Sequence, residues 1–232
     1  MNTLRAKRMQ YGFTLVEIAI AIVILGLLLG GAVMTLTAQM DLKYNAETQR
    51  TLERAQEAIL GFAAANGRLP CPGTAATAGM ESPLGGGVCT NNFNGFVPAA
   101  MLALAPTDGN QRLVDAWGQP ILYAVTNANS DAFTTVNGMR NEGLAALNSD
   151  LRVCSASLAS PCSGASGNDV LTDRAVIVLA SSGRNMSFED NAENTNGNRF
   201  FIYRAQTAAT DDIFTWTSPF TLYNRMLAAG AL

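Results

Sequence analysis

The sequence has 232 residues, of which 48% are hydrophobic and only 14% charged, and its formal net charge is −3. It contains no histidine, which excludes a Ser-His-Asp triad, a Cys-His pair and zinc held by imidazole. The weakly acidic balance also argues against a nucleic-acid partner, because such a partner requires clustered Lys and Arg to neutralise its phosphates. Composition therefore disfavours most enzyme classes.

The N-terminus combines a basic segment with a long apolar one. Residues 1–12 contain Arg5, Lys7 and Arg8 and no acid, and residues 13–36 are almost wholly apolar. A helix over that apolar run is roughly 36 Å long, enough to cross a bilayer core of about 30 Å, and the basic flank predicts a cytoplasmic N-terminus. A secretory signal peptide is the alternative. However, the apolar run exceeds the usual length of about 7–15 residues, and no small-x-small cleavage site closes it.

One carboxylate, Glu17, lies near the start of the apolar run. An ionised carboxylate in a membrane is costly unless it finds a partner, so it indicates a functional role. The stretch Gly12-Phe13-Thr14-Leu15-Val16-Glu17 resembles the processing site of type IV prepilins and of the pseudopilins of type II secretion. The resemblance implies that a prepilin peptidase cuts between Gly12 and Phe13 and that Phe13 is then N-methylated.

Cleavage would create an ammonium group at Phe13, four residues before Glu17. In a staggered bundle of such helices, Glu17 of one subunit can neutralise the new terminus of its neighbour, and a low dielectric strengthens that attraction. We therefore expect Glu17 to set the register of assembly, as a single buried polar residue does in a coiled coil. The alternative is a tolerated polar residue at the membrane edge.

The resemblance also implies an architecture. The expected α+β fold has the lollipop shape of pilins, in which a long N-terminal helix, membrane-spanning in its first half, packs against a small antiparallel β-sheet head. The expected domains are a leader at 1–12, a transmembrane helix at 13–36, its amphipathic continuation at 37–66, and a periplasmic or extracellular head at 67–232.

The continuation of the long helix and the elements of the head are predicted from local patterns. Residues 41–65 have apolar side chains at helical spacing and a charged opposite face, which predicts an amphipathic helix. Asn66-Gly67 favours a C-cap, and Pro70 and Pro72 forbid continuation. The stretch from Asp115 to Pro120 resembles the segment that opens the sheet in major pseudopilins, with Trp117 packed over the helix. Strands are predicted at 121–125, 175–180 and 200–204, and a terminal helix at 219–228.

Four cysteines fall into two local pairs, Cys71 with Cys89 and Cys154 with Cys162. An even number of cysteines in an exported chain indicates disulfides, for which three connectivities exist. The local pairing is favoured because each pair brackets a loop rich in Gly, Ser or Pro. A zinc site is the competing interpretation, but no pair has the CxxC spacing.

A polar stretch between Ser181 and Trp216 is rich in acids and asparagine. Such hard oxygen ligands suit calcium, and the flanks of the stretch resemble the calcium loop of the major pseudopilin. The resemblance carries over Asp211 and Asp212 as calcium ligands, although Asn185 stands where an acid is usual. The alternative is a solvated loop whose acids cap turns. Calcium is the only cofactor that the sequence suggests, and no feature of the sequence requires one.

The predicted function is that of a structural, non-enzymatic subunit of a type IV pilus-like or pseudopilus filament. Its expected partners are other pilin or pseudopilin subunits, the prepilin peptidase, an inner-membrane assembly platform and membrane lipid. It would pass once through the inner membrane with a periplasmic head, and enter a periplasmic or cell-surface filament on assembly. The alternatives are a membrane-anchored binding or adhesin module that is not polymerised, and an anchored periplasmic enzyme, for which no catalytic residue is predicted.

Overall fold

The computed structural model describes residues 12–155, 162–164, 169–207 and 210–232, with side chains described for all of these except 29–38. Helix α1 (Leu15–Asn66) is 52 residues long. It ends at the predicted C-cap, where Gly67 has a φ of 68° and donates its N–H to the carbonyl of Ala63 at 2.9 Å. The long N-terminal helix predicted from the sequence is therefore confirmed. Residues 1–11 of the predicted leader lie outside the described residues.

The chain divides into two compact units, and the division falls within α1 between Lys43 and Tyr44. In the first unit, the side chains from Phe13 to Leu28 are exposed, most of them apolar. Where side chains are described, no helix combines the length and the apolar character needed to cross a membrane. The predicted span at 13–36 includes residues 29–36, whose side chains lie outside that description.

The second unit begins with the remainder of α1, which buries one face. The buried residues recur at intervals of three or four, as one face of a helix requires. They are Thr48, Thr51, Leu52, Ala55, Ile59, Leu60 and Ala63. The amphipathic pattern predicted over 41–65 therefore enters the core only from Leu52 onwards, whereas its first apolar residues, Leu42 and Ala46, are exposed.

Seven strands in the described residues form two sheets. They are β1 (Gly95–Phe96), β2 (Leu122–Val125), β3 (Leu151–Ser155), β4 (Val170–Ala175), β5 (Ile177–Ser181), β6 (Phe200–Tyr203) and β7 (Ile213–Thr217). The first sheet has the order β1-β2-β5-β7 and is antiparallel throughout, as expected for the head. The second has the order β4-β3-β6, and its β3–β6 pair is parallel, so the expectation of one antiparallel sheet was incomplete.

The central strands of the first sheet, β2 and β5, are buried on both faces, and all of their residues except Ser181 are apolar, as such strands require. One face belongs to the core formed with α1, and the other to a second core shared with the second sheet. The first core takes Tyr123, Val125, Ile177 and Leu179 from this sheet. The second combines Leu122, Ala124, Val178 and Ala180 with Leu151, Val153 and Phe201 of the second sheet. Within this unit the sheet therefore separates a helical layer from a second β layer.

The predicted strands correspond to β2, β5 and β6, and the predicted terminal helix is α5 (Pro219–Ala228). Helix α5 begins at Ser218, whose Oγ accepts a hydrogen bond from the N–H of Phe220. Strands β1, β3, β4 and β7 are not among the predicted elements. The short segments α2 (Ala128–Asp131), α3 (Gly138–Glu142) and α4 (Asn191–Asn194) lie in the connections.

Asp115 organises the turn that leads into β2. Its Oδ1 accepts the N–H groups of Trp117 and Gln119, and its Oδ2 accepts the hydroxyl of Ser181 at 2.6 Å. Trp117 lies edge-on against Tyr44 of α1, with ring centroids 5.8 Å apart. The predicted packing of Trp117 on the helix is therefore confirmed.

Both disulfides have the local pairing, Cys71–Cys89 and Cys154–Cys162. The Cys71–Cys89 disulfide closes a loop that contains Glu81, and Glu81 forms a buried ion pair with Arg68. The Glu81 carboxylate accepts two hydrogen bonds from the Arg68 guanidinium, at 2.8 and 2.6 Å, and two more from the N–H groups of Cys71 and Gly85. All these polar groups are therefore satisfied within the protein.

Candidate functional site

The residues of the predicted processing site lie immediately before α1. Gly12, Phe13 and Thr14 are outside the helix, and the Phe13 side chain is 78% exposed. Gly12 is also exposed, and a Cβ placed on it would meet no atom within 4 Å. Both residues that flank the predicted cleavage bond are therefore exposed.

Thr14 starts the helix. Its Oγ1 accepts a hydrogen bond from the N–H of Glu17 at 3.3 Å, the geometry of an N-cap, and Thr-x-x-Glu is the sequence pattern of a capping box. The Glu17 side chain is exposed in the first turn, where the helix dipole favours negative charge. Thr14 therefore lies at the junction between the predicted cleavage site and the helix.

A second candidate site lies where the loop after β5 meets the start of β7. Carboxylate oxygens of Glu189, Asp211 and Asp212 all lie within 4.8 Å of one another. Asp212 is only 2% exposed. Gly183, with a φ of 62°, allows the two loops to approach, since a Cβ there would clash with the backbone oxygen of Asp211. We call Glu189, Asp211 and Asp212 the acidic cluster.

Each carboxylate of the acidic cluster has one satisfied oxygen and one that is not. Asp211 Oδ2 accepts the N–H of Asn185 at 2.8 Å, Asp212 Oδ2 accepts the N–H of Glu189 at 3.1 Å, and Glu189 Oε1 accepts the Asn185 side-chain amide at 2.8 Å. The other three oxygens are buried and have no hydrogen-bond partner in the part of the chain that the structure describes. Buried acceptors of this kind are costly unless something fills the space between them.

The electrostatics of the acidic cluster reflect this crowding. Burial raises the pKa of Asp212 from 3.8 to about 8, and the nearby Glu189 acts in the same direction. Burial and Glu189 also raise the pKa of Asp211. Burial opposes the ionisation of Glu189, but the adjacent carboxyl groups of Asp212 and Asp211, which take up the proton more readily, and the amide of Asn185 outweigh it and lower the pKa of Glu189. Without a cation, the three carboxyl groups therefore retain a proton near neutral pH.

The donor set of the acidic cluster fits a hard divalent cation. Calcium binds oxygen at about 2.3–2.6 Å, so two ligand atoms on opposite sides of the ion lie up to about 5 Å apart, close to the span of this cluster. The acidic cluster contains Asp211 and Asp212, the two residues predicted as calcium ligands, and the fold places Glu189 beside them. The sequence gives no spacing that links Glu189 to a pair more than twenty residues away. Asn185, the departure from the family pattern, holds two of the carboxylates in place.

Comparison with known proteins gives one finding. Residues 7–33 match the family model of the prokaryotic N-terminal methylation motif. No curated protein and no solved structure matches the chain. The matched segment contains the exposed Gly12–Phe13 bond, the capping Thr14 and Glu17. Residues 7–33 of this chain are therefore the prepilin signal of type IV pilins and pseudopilins.

Proposed function

We propose that the chain is a structural subunit of a type IV pilus-like or pseudopilus filament. It is cleaved after Gly12, N-methylated at Phe13, and held in the inner membrane by residues 13–36 until it assembles. The methylation motif at 7–33 carries this proposal. The position of the cleavage bond supports it, because this bond is exposed and immediately precedes a helix of 52 residues.

The exposed apolar surface at the start of α1 supports assembly through this helix. Phe13, Leu15 and Val16 are 78%, 87% and 67% exposed, respectively. Soluble monomeric proteins rarely expose a contiguous apolar surface of this kind. Lipid covers that surface before assembly, and neighbouring helices cover it in a filament. Glu17 lies within this apolar surface, so its carboxylate needs a cationic partner once water is excluded. The ammonium group of a cleaved neighbour supplies that partner.

Processing is tested by the intact mass and N-terminal peptide of membrane-extracted protein, expressed with and without a prepilin peptidase. With the peptidase, we expect a new terminus at Phe13 carrying one added methyl group. Gly12→Val should block cleavage, because we expect the peptidase to recognise the glycine that precedes the cleaved bond. Gly26→Val should leave cleavage unchanged. Both glycines have open space where the new side chain would go, so the pair is matched sterically. An intact leader despite active peptidase would favour the anchored, non-polymerised module.

Glu17→Ala should leave membrane insertion and cleavage intact but lower incorporation into filaments by about tenfold or more. The reason is that the terminal ammonium group of a neighbour then loses its partner in a low-dielectric bundle. The measurement is the ratio of filament-bound to membrane-bound subunit in sheared and extracted fractions. Glu47→Ala, an exposed acid further along the same helix, is the control. Equal incorporation of the two variants would contradict the pairing.

We also propose that the acidic cluster binds calcium and thereby fastens the loop after β5 to the start of β7. Its three unpartnered buried oxygens support this assignment, because a cation would satisfy all of them at once. Binding would release the proton that the cluster otherwise keeps. The role of the ion is structural, since it joins two segments of the head.

A further inference from the structure

A polar cavity of about 370 Å³ lies beside the second sheet and shares no lining residue with the acidic cluster. Three arginines line it: Arg152 on β3, Arg174 on β4 and Arg199 just before β6. The volume is within the usual range for small-molecule sites, about 300–1,000 Å³. Asp150 and Asp173 line it as well, so the lining carries one net positive charge, which suits a ligand with a single carboxylate that matches the planar N–H donors of a guanidinium.

Two of these arginines are held in position. Arg152 and Arg199 lie 5.8 and 5.3 Å, respectively, from the ring centroid of Phe200, which also lines the cavity. Arg199 additionally donates to Asp150 at 2.9 Å. Cation–π contacts and an ion pair limit the freedom of these side chains, so a ligand that binds them loses little conformational entropy of the protein.

Arg174 differs from the other two. Its guanidinium has no hydrogen-bond or ion-pair partner in the described residues, while its backbone carbonyl accepts the hydroxyl of Ser149 at 2.6 Å. The backbone is thus fixed and the charge remains available. Asp150 is already occupied by Arg199 and by the hydroxyl of Thr126, so it does not neutralise Arg174.

The cavity also offers groups that a simple anion would not use. The exposed carboxylate of Asp173 can accept hydrogen bonds from hydroxyl groups, and the exposed amide of Asn148 can both donate and accept them, whereas the buried Ser149 hydroxyl is already bonded to the Arg174 carbonyl. A ligand with both a negative charge and several hydroxyl groups satisfies this mixed lining. Inorganic phosphate carries more negative charge than the single net positive charge of this lining balances, and it cannot use these hydroxyl-binding groups as fully.

A smaller cavity of about 180 Å³ shares Asn148, Ser149 and Arg174 with the first. Its other walls include the rings of Phe220 and Tyr223, and Phe220 is 72% exposed. Burial raises the pKa of Tyr223 and the charge of Arg174 opposes this, which shows how close the two residues lie. Aromatic rings of this kind pack against the C–H face of a sugar ring.

We propose that these two cavities together bind an acidic saccharide, with the carboxylate of a uronic acid on the arginines and an adjoining sugar ring near Phe220. The proposal is independent of filament assembly and of calcium. It assigns the head a ligand-binding surface whose specificity depends on charge, hydroxyl groups and an aromatic platform together.

The test is isothermal titration calorimetry of the full chain in detergent micelles with trigalacturonic acid, galactotriose and inorganic phosphate. We expect binding of trigalacturonic acid at least tenfold tighter than of either other compound. Arg174→Gln should weaken it by about tenfold or more, because a charge-assisted hydrogen bond is lost. Arg225→Gln, at an exposed arginine paired only with Glu57 among the described residues, should leave it unchanged.

Phe220→Ala should weaken binding of the trisaccharide severalfold while leaving galacturonic acid monomer unaffected, since its exposed side chain touches only the adjoining ring. Phosphate bound as tightly as trigalacturonic acid would overturn the saccharide assignment. Galactotriose bound equally well would overturn the role of the arginines, and so would unchanged affinity in Arg174→Gln. Absence of binding to the folded protein would overturn the proposal altogether.

Discussion

Calcium should raise the thermal unfolding midpoint of the chelator-treated protein at pH 8.5, by roughly 5–10 °C when the ion is at about 100 times its dissociation constant. At that ratio ligand binding stabilises the folded state by about 2.7 kcal/mol, and a domain of this size shifts by about 2–4 °C per kcal/mol. The gain arises because the ion satisfies the three buried oxygens of the acidic cluster, which otherwise have no partner in the described residues. The measurement is thermal unfolding of the full chain in detergent, with EDTA or with calcium.

The effect should depend on pH with a definite sign. The pKa of Asp212 is raised from 3.8 to about 8, so the folded state binds this proton more tightly than the unfolded state. The resulting stability is fully present below about pH 3.8 and is lost as the pH rises through about 8. Chelated protein should therefore become less stable between about pH 5 and pH 9, and calcium should stabilise it least at the acidic end, where protons compete for the same oxygens.

The variant Asp212→Asn tests whether the calcium-induced shift and the pH dependence both arise from the Asp212 carboxyl group. It removes one ligand charge and the titrating group, so the calcium shift should largely disappear and the pH dependence of the chelated protein should flatten. Glu193→Gln changes an acid of the same segment outside the acidic cluster, and it should keep both effects. A full calcium shift in Asp212→Asn would contradict the assignment of the ligands.

Glu81→Ala should lower the free energy of unfolding of the head by about 3–5 kcal/mol, because it leaves the Arg68 charge buried and unpaired. The Arg68 and Glu81 side chains are 7% and 2% exposed, and their closest N–O distance is 2.6 Å. The same carboxylate also accepts hydrogen bonds from the N–H groups of Cys71 and Gly85, so the loop between Cys71 and Cys89 loses these two hydrogen bonds as well. Denaturant unfolding of the full chain in detergent measures the change.

A matched control exists in the same protein. Arg225 and Glu57 also approach to 2.6 Å, but their side chains are 55% and 60% exposed. Because water already solvates and screens this pair, Glu57→Ala should cost no more than about 1 kcal/mol. Similar losses for Glu57→Ala and Glu81→Ala would show that burial is not what makes the Arg68–Glu81 pair important.

Features that depend on residues close together in the sequence could be predicted from the sequence. The prepilin signal is a short consecutive stretch, with a cleavable bond, a capping threonine and a carboxylate all read within Gly12–Glu17. The end of α1 at Asn66 follows from the glycine and prolines after it, and α5 follows from Ser218 and Pro219 at its start. The local disulfide pairing could likewise be inferred from spacing and loop composition.

Strands were harder to predict where their context, not their own residues, selects the structure. Strand β7 contains Ile213 and Trp216 but directly follows two aspartates, so the sequence favoured a polar loop there. Pairing with β5 decides the matter, since it places Ile213 opposite Ser181 and Trp216 opposite Val178. The parallel alignment of β3 with β6 joins segments separated by nearly fifty residues, which no local periodicity records.

The division between sequence and tertiary structure therefore follows the range of the interactions. The sequence by itself determined the N-terminal methylation motif, the long helix and the disulfide pairs, because each depends on propensity, spacing or a contiguous motif. Only the tertiary structure placed Glu189 beside Asp211 and Asp212, enclosed Arg68 with Glu81, and gathered three arginines around one cavity. Those arrangements exist because packing of the sheets and α1 brings distant loops together, and the loops themselves show no periodic pattern from which such contacts could be read.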